Sequence, residues 1–290
     1  MFEGTYTALI TPFKAGEVDY AALGSLIDSQ LEAGIDGVVP CGSTGESATL
    51  SHEEHERVIA FSIERAQGRL KVIAGTGSNS TRESIRLTLF AKEHGADGAL
   101  LIAPYYNKPT QEGLFAHYAA IAEAVDLPQL VYNIPGRCAV NIAPETVSRL
   151  AKVANVVGVK EASGSLEQIS RTIELCGPEF TVLSGDDGLT LPILAVGGRG
   201  TIGVLPNIMP REMVQLVKAA RASDLPKARE LHYRLAPVMR ALFVETNPIG
   251  IKAAMSLLGL CDNELRLPLT TFTDGSVKTL RAALQSVGLL

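Results

Sequence analysis

Eight short, β-branched apolar runs, each followed by a stretch with helical spacing, constrain this chain more than any other feature. They are Thr5 to Thr11, Asp36 to Pro40, Lys71 to Gly75, Gly98 to Ala103, Gln129 to Asn133, Val156 to Lys160, Thr181 to Gly185 and Gly200 to Leu205. Strands separated by helices pair in parallel through right-handed crossovers. Eight such units favour an α/β fold closed into a (β/α)8 TIM barrel over an open doubly wound sheet. At 290 residues the chain could be two domains on length alone, but a barrel of alternating strands and helices needs about 250 residues as one unit.

The intervening helices carry their own signals. Leu23, Leu26, Ile27 and Leu31 lie on one helical face, and Gly34 is placed to end that helix. Ser51 with Glu54, Ser80 with Glu83, and Ser165 with Gln168 each have capping-box spacing, while Pro144 and Pro210 suit first-turn positions. Gly34-Ile35-Asp36-Gly37 and Gly95-Ala96-Asp97-Gly98 form a weak internal repeat, each leading from a helix into a strand. After a helix expected from about Arg211 to Ala222 the strand pattern stops. From Leu225 onward the chain reads as helices punctuated by Pro226, Pro248 and Pro268. This predicts a catalytic barrel over 1–224 and a small C-terminal helical domain over 225–290.

Charge and composition narrow the function. A formal net charge of −5 argues against a nucleic-acid surface and points to small-molecule partners. No segment approaches the roughly 18 uninterrupted apolar residues of a membrane span, and Met1-Phe2-Glu3-Gly4 does not resemble an export signal, so a soluble cytoplasmic protein is expected. Cys41, Cys138, Cys176 and Cys261 lie far apart without a CxxC, which suggests neither a zinc site nor a disulfide framework. His52 and His55 are three apart, where the HExxH zinc motif needs four. Gly75-Thr76-Gly77-Ser78-Asn79-Ser80 lacks the third glycine of a dinucleotide fingerprint. No metal and no nucleotide cofactor is expected.

Barrel enzymes build their chemistry at the C-terminal ends of the strands. Lys160 ends the sixth run. A lysine there commonly just marks where the chain meets water, but a buried one is pulled toward its neutral, nucleophilic form and can condense with a ketone. The other strand ends supply company for it. Gly42-Ser43-Thr44-Gly45-Glu46 offers two hydroxyls and a row of backbone N–H groups able to cradle a carboxylate. Tyr105-Tyr106-Asn107 and Tyr132-Asn133-Ile134-Pro135-Gly136-Arg137 offer phenols and a guanidinium, and Gly185-Asp186-Asp187 follows the seventh run. Each member has an ordinary reading as a turn, a packing residue or a surface ion pair. Together they form a kit for Schiff-base aldol chemistry on an α-keto acid.

The Gly42–Glu46 turn, the Tyr132-Asn133-Ile134-Pro135 run and the Lys160 strand resemble the signatures of the pyruvate-dependent class I aldolase family that includes dihydrodipicolinate synthase and N-acetylneuraminate lyase. The resemblance to the synthases extends through Ala74-Gly75-Thr76-Gly77, Pro104-Tyr105-Tyr106-Asn107-Lys108-Pro109, Leu183-Ser184-Gly185-Asp186-Asp187 and Phe243-Val244-Glu245-Thr246-Asn247-Pro248-Ile249, essentially the whole chain. It implies that Lys160 condenses with pyruvate. The enamine then formed attacks the aldehyde of L-aspartate 4-semialdehyde, giving 4-hydroxy-tetrahydrodipicolinate for lysine and diaminopimelate biosynthesis. It also implies Tyr132 as proton shuttle with Ser43 and Tyr106, the latter from a neighbouring subunit of a homotetramer. Thr44 would hold the pyruvate carboxylate, Arg137 the semialdehyde carboxylate, and the backbone carbonyls of Gly185 and Ile202 would line the pocket.

By the same resemblance, Ser47, Ala48, His52, His55, Asn79, Glu83 and Tyr105 match a site for feedback inhibition by L-lysine at a subunit interface. Glu83 has a second reading, as the partner of Ser80 in a capping box. Synthases mostly carry threonine where this chain has Ser43, and serine there is common in the lyases. The hydroxyl is kept but the methyl that stiffens the side chain is lost. Arg137 and Leu183-Ser184-Gly185-Asp186-Asp187 look like the synthases. The alternatives are N-acetylneuraminate lyase or another sugar-acid aldolase of the same fold, and a non-catalytic relative, which would lack Lys160 or Tyr132.

Overall fold

The structure, a computed structural model, describes residues 2–290. Its centre is a closed barrel of eight parallel strands: β1 (Gly4–Ala8), β2 (Gly37–Val39), β3 (Lys71–Gly75), β4 (Gly98–Ile102), β5 (Gln129–Asn133), β6 (Val156–Glu161), β7 (Thr181–Ser184) and β8 (Gly200–Gly203). Each strand pairs with the next, and β8 closes on β1 through Gly4↔Gly200 to Thr7↔Gly203. The expected (β/α)8 fold is therefore present.

All eight expected strands exist, and the ends that differ have local reasons. β1 stops at Ala8, short of Thr11, because β2 is only three residues long; the Leu9 N–H takes the last available carbonyl, that of Val39, at 3.1 Å. β8 stops at Gly203 because the Val204 and Leu205 N–H groups donate to Asp187 Oδ2, at 2.9 and 2.8 Å, instead of to a strand. β6 runs one residue past Lys160. Glu161 stays in the ladder, fully buried, because its carboxylate accepts from Ser163 N at 2.7 Å and from Asn133 Nδ2 at 3.2 Å. A small antiparallel ladder, Phe13–Lys14 with Glu17–Val18, fills the first loop and had no counterpart in the sequence pattern.

The helix signals fare unevenly. Gly34 ends the Tyr20–Ala33 helix at φ +76°, a left-handed conformation that favours glycine. Ser51 and Glu54 form a full capping box, and Pro144 and Pro210 occupy first-turn positions. Ser165 accepts from Gln168 N at 3.2 Å, but the Gln168 side chain turns to Asn141 and Glu161, so only half of that box forms. The Ser80–Glu83 box is absent. Ser80 caps nothing, and the Glu83 carboxylate is taken by the Ser78 hydroxyl and by His52 Nε2 at 3.3 Å.

Beyond the barrel lie helices Leu225–Ala241, Ile249–Leu257 and Asp274–Ser286. Pro226 sits inside a first turn, Pro248 directly precedes its helix, and Pro237 is accommodated mid-helix. These helices share one apolar core with the barrel's outer layer: Leu231, Leu235, Val238 and Met239 join Met213, Leu216 and Val217, and Ile251 and Ala254 join Leu9 and Ile10. The barrel interior holds a separate cluster of Tyr6, Val39, Ile73, Leu100, Leu130, Tyr132, Leu183 and Ile202. No helix among the described residues is long and apolar enough to cross a membrane.

Candidate active site

Strand register brings the first two site residues together. Tyr132 of β5 is the direct partner of Lys160 on β6, and side chains at paired positions point to the same face, here into the barrel. The Lys160 amine lies 4.3 Å from the centre of the Tyr132 ring. It makes no hydrogen bond or ion pair among the described residues. Only 5% exposed, it is lowered from the usual lysine range to about 7, chiefly by burial and further by the Arg137 charge, with Asp187 acting in opposition. Near neutral pH a large fraction of this amine is unprotonated and nucleophilic. Burial pushes the Tyr132 phenol in the other direction, well above the ordinary tyrosine range, against the Arg137 charge and a hydrogen bond with the Ser43 side chain. The two neighbours thus keep opposite protonation at one pH, a proton donor beside a bare amine.

Space around the amine is reserved by glycine. A Cβ at Gly185 would lie 2.9 Å from Ala162 Cβ, 3.0 Å from Lys160 Cε and 3.1 Å from Lys160 Cγ, so any side chain there would press on the lysine and on its strand's end. Ile202 of β8 is fully buried in the same interior cluster as Tyr132.

The carboxylate-binding candidates meet over a segment of the C-terminal region. Thr44, 3% exposed, accepts at Oγ1 from Asn247 Nδ2 at 2.9 Å. Arg137, on the short turn of helix Pro135–Cys138, donates from Nη2 to the Asn247 carbonyl at 2.6 Å. Ser43, Tyr132, Arg137 and Asn247 line a cavity of about 480 Å³. Tyr106 is the exception. It is 90% exposed at φ +72°, and within one chain it does not join the other site residues.

The same cavity continues to Ser47, Ala48, His52, His55, Glu83 and Tyr105. Asn79 reaches this wall from outside the lining, donating from Nδ2 to the Tyr105 carbonyl at 3.2 Å. His52 and His55 are engaged separately. His52 Nδ1 meets Arg86 Nη2 at 2.9 Å, while His55 Nε2 bonds the Gly75 carbonyl at 2.8 Å. Glu83 faces this cavity instead of capping its helix.

The chain matches the model of the Dihydrodipicolinate synthetase family over residues 1–287. It belongs to this family. A curated relative from Syntrophus aciditrophicus, 4-hydroxy-tetrahydrodipicolinate synthase, is 55% identical over 290 residues, all of both chains. The crystal structure of the chloride-inhibited dihydrodipicolinate synthase from Acinetobacter baumannii complexed with pyruvate superposes with a TM-score of 0.98 at 44% identity, over 100% of each chain. That of the enzyme from Cyanidioschyzon merolae with lysine bound gives 0.97 at 43% identity, over 100% of this chain and 99% of that one. The chain is an enzyme of the dihydrodipicolinate synthetase family, whose members are lyases.

Two residues of this family member escaped the strand-end reading. Asp187 lies in the Gly185-Asp186-Asp187 run, but nothing in the doublet tells which carboxylate turns inward. Asp186 stays outside and accepts from Gly188 N at 2.8 Å, while Asp187 is buried near Lys160 and raised by that burial to about 6. Asn247 lies more than a hundred residues from either partner, and its only local signal is an Asn-Pro pair before a helix.

Proposed function

We propose that this chain condenses pyruvate with L-aspartate 4-semialdehyde to 4-hydroxy-tetrahydrodipicolinate through an imine on Lys160. The observation that carries the reading is the unpartnered, buried Lys160 amine, lowered to about 7, beside a Tyr132 phenol held protonated. The amine adds to the pyruvate ketone and water leaves, giving the imine. Loss of a methyl proton converts it to an enamine, whose carbon attacks the aldehyde. The semialdehyde's own amine then adds to the imine carbon and expels Lys160, closing the ring. Tyr132 supplies and recovers the protons of these steps, with Ser43 as its hydrogen-bond partner. In this reading Thr44 holds the pyruvate carboxylate, Arg137 holds that of the semialdehyde, and Gly185 and Ile202 shape the pocket around the lysine.

The exposed Tyr106 fits a relay completed across a subunit contact, and with it a homotetramer. The cavity wall of Ser47, Ala48, His52, His55, Glu83 and Tyr105, with Asn79 behind it, is the proposed seat of L-lysine as feedback inhibitor. Its Glu83 carboxylate suits an ammonium group. Residues 1–224 then carry the chemistry, residues 225–290 form a helical domain that buttresses it, and the work is done in the cytoplasm without metal or nucleotide, the imine itself serving as electron sink.

Borohydride reduction in the presence of pyruvate, followed by peptide mass mapping, tests the reading. An adduct on Lys160 is expected. No adduct, or one on another lysine, would sink it. Turnover of aspartate semialdehyde but not of N-acetylmannosamine is expected to separate it from the lyase alternative.

A further inference from the structure

Asn247 lies between the helices Leu225–Ala241 and Ile249–Leu257, yet it is 6% exposed and sits against the barrel mouth. Its side-chain amide donates to Thr44 Oγ1 at 2.9 Å, across a sequence separation of 203. Its backbone carbonyl accepts from Arg137 Nη2 at 2.6 Å. The other polar atom of its side chain, Oδ1, is buried without a hydrogen-bond partner among the described residues.

A threonine hydroxyl has one proton and two lone pairs. With a lone pair engaged by the Asn247 amide, the hydroxyl cannot spend its proton on that neighbour and keeps it for an acceptor in the cleft. Removing the amide frees the rotor and loses that orientation. A donor already aimed at a carboxylate makes a charge-assisted bond without reorganisation. The carbonyl meanwhile fixes one N–H of the Arg137 fork on an otherwise exposed side chain and leaves the others for a carboxylate.

We propose that Asn247 is a positioning residue that aims the Thr44 hydroxyl and anchors Arg137, so that a segment of the C-terminal region sets the geometry of both carboxylate sites. The proposal rests on the assignment of Thr44 to the carboxylate of pyruvate and of Arg137 to that of the semialdehyde. Asn247 acts on pyruvate through Thr44 and touches no reacting atom.

The test measures how borohydride trapping on Lys160, and steady-state turnover, depend on pyruvate in the wild type, Asn247→Ala, Asn247→Asp, Thr44→Val and the double variant Thr44→Val/Asn247→Ala. Asn247→Ala is expected to raise half-saturating pyruvate about tenfold while trapping at saturation is retained. Half-saturating semialdehyde should move by less than about twofold, because the backbone carbonyl on Arg137 remains. Asn247→Asp keeps the size but replaces the donor by a charged acceptor that captures the Thr44 proton, so pyruvate saturation should worsen further. In the Thr44→Val background, Asn247→Ala should add nothing.

Wild-type saturation by Asn247→Asp would overturn the proposal, as would independent, multiplying effects of Asn247→Ala and Thr44→Val. So would lost trapping at every pyruvate concentration together with a lowered melting temperature, which marks a purely structural residue. These failures differ from failure of the functional reading, in which the wild type itself traps no pyruvate on Lys160.

Discussion

Two lysines are buried among the described residues, one at the barrel mouth and one at the seam with the C-terminal helices, and they are provided for in opposite ways. Lys252 is wholly buried and ion-paired with Glu46; its amine also donates to the Glu264 carbonyl at 2.9 Å and lies 3.9 Å from the centre of the Phe13 ring. Lys160 lies over the Tyr132 face and makes no ion pair or hydrogen bond among the described residues. Burial lowers both amines and a nearby carboxylate opposes it at each, but Glu46 is in direct contact with the Lys252 amine, whereas Asp187 makes no ion pair with Lys160. Depth of burial does not separate a structural lysine from a chemically available one. The presence or absence of an ion pair in direct contact with the amine does.

The sharpest way to break this contrast is to remove each amine. Lys160→Ala should cost turnover on the order of a thousandfold or more, since the covalent route is lost, with kcat and borohydride trapping as the readouts. Lys252→Met should instead cost about 3–5 kcal/mol of stability in urea unfolding, because it strands the buried Glu46 carboxylate.

The same change at the mouth should act the other way. Lys160→Met should gain about 0.5–2 kcal/mol, the stability given up for a reactive amine. Its pH dependence fixes the sign. The folded value, about 7, lies below the unfolded lysine value of about 10.4, so the wild-type penalty is full below pH 7 and fades as pH rises toward 10.4. The gain from Lys160→Met should fade with it, and an unchanged gain at pH 10 would contradict this account.

Gly185→Ala probes the space around the amine. Its new methyl would meet Lys160 Cε, so trapping should slow about ten- to a hundredfold while unfolding changes by no more than about 1–3 kcal/mol. The smallest effect is expected from Asp187→Asn. Imine formation in the wild type should rise through pH 7 and level off. Removing the Asp187 charge, which favours the ammonium form, should move that rise to lower pH, while Asn Oδ1 still accepts from Val204 and Leu205.

Much of the fold was legible because its signals are local. β3 and β5 match the expected runs end for end, since their apolar residues sit between turn-forming neighbours. Errors arose where a group outside the local pattern competed. Ser80 looked like a cap until Ser78 and His52 claimed Glu83, and Gly200 to Leu205 looked like a longer strand until Asp187 captured its last N–H groups. Of the proposed site, Lys160, Tyr132, Ser43, Thr44 and Arg137 announced themselves as reactive types at strand ends. Asp187 and Asn247 did not, because an aspartate beside another aspartate and an asparagine before a proline are ordinary loop residues.

What the sequence determined by itself is the list of strands, their order, and which of them end in a nucleophile, a phenol or a hydroxyl, because periodicity and residue type act over a few positions. Tertiary structure alone decided the rest. The register of β5 on β6 put Tyr132 beside Lys160, and packing the last helices on the barrel joined Asn247 to Thr44 and Lys252 to Glu46. The physical reason is that a lysine's chemistry depends on the charges and water near its nitrogen, and folding brings those neighbours from anywhere in the chain.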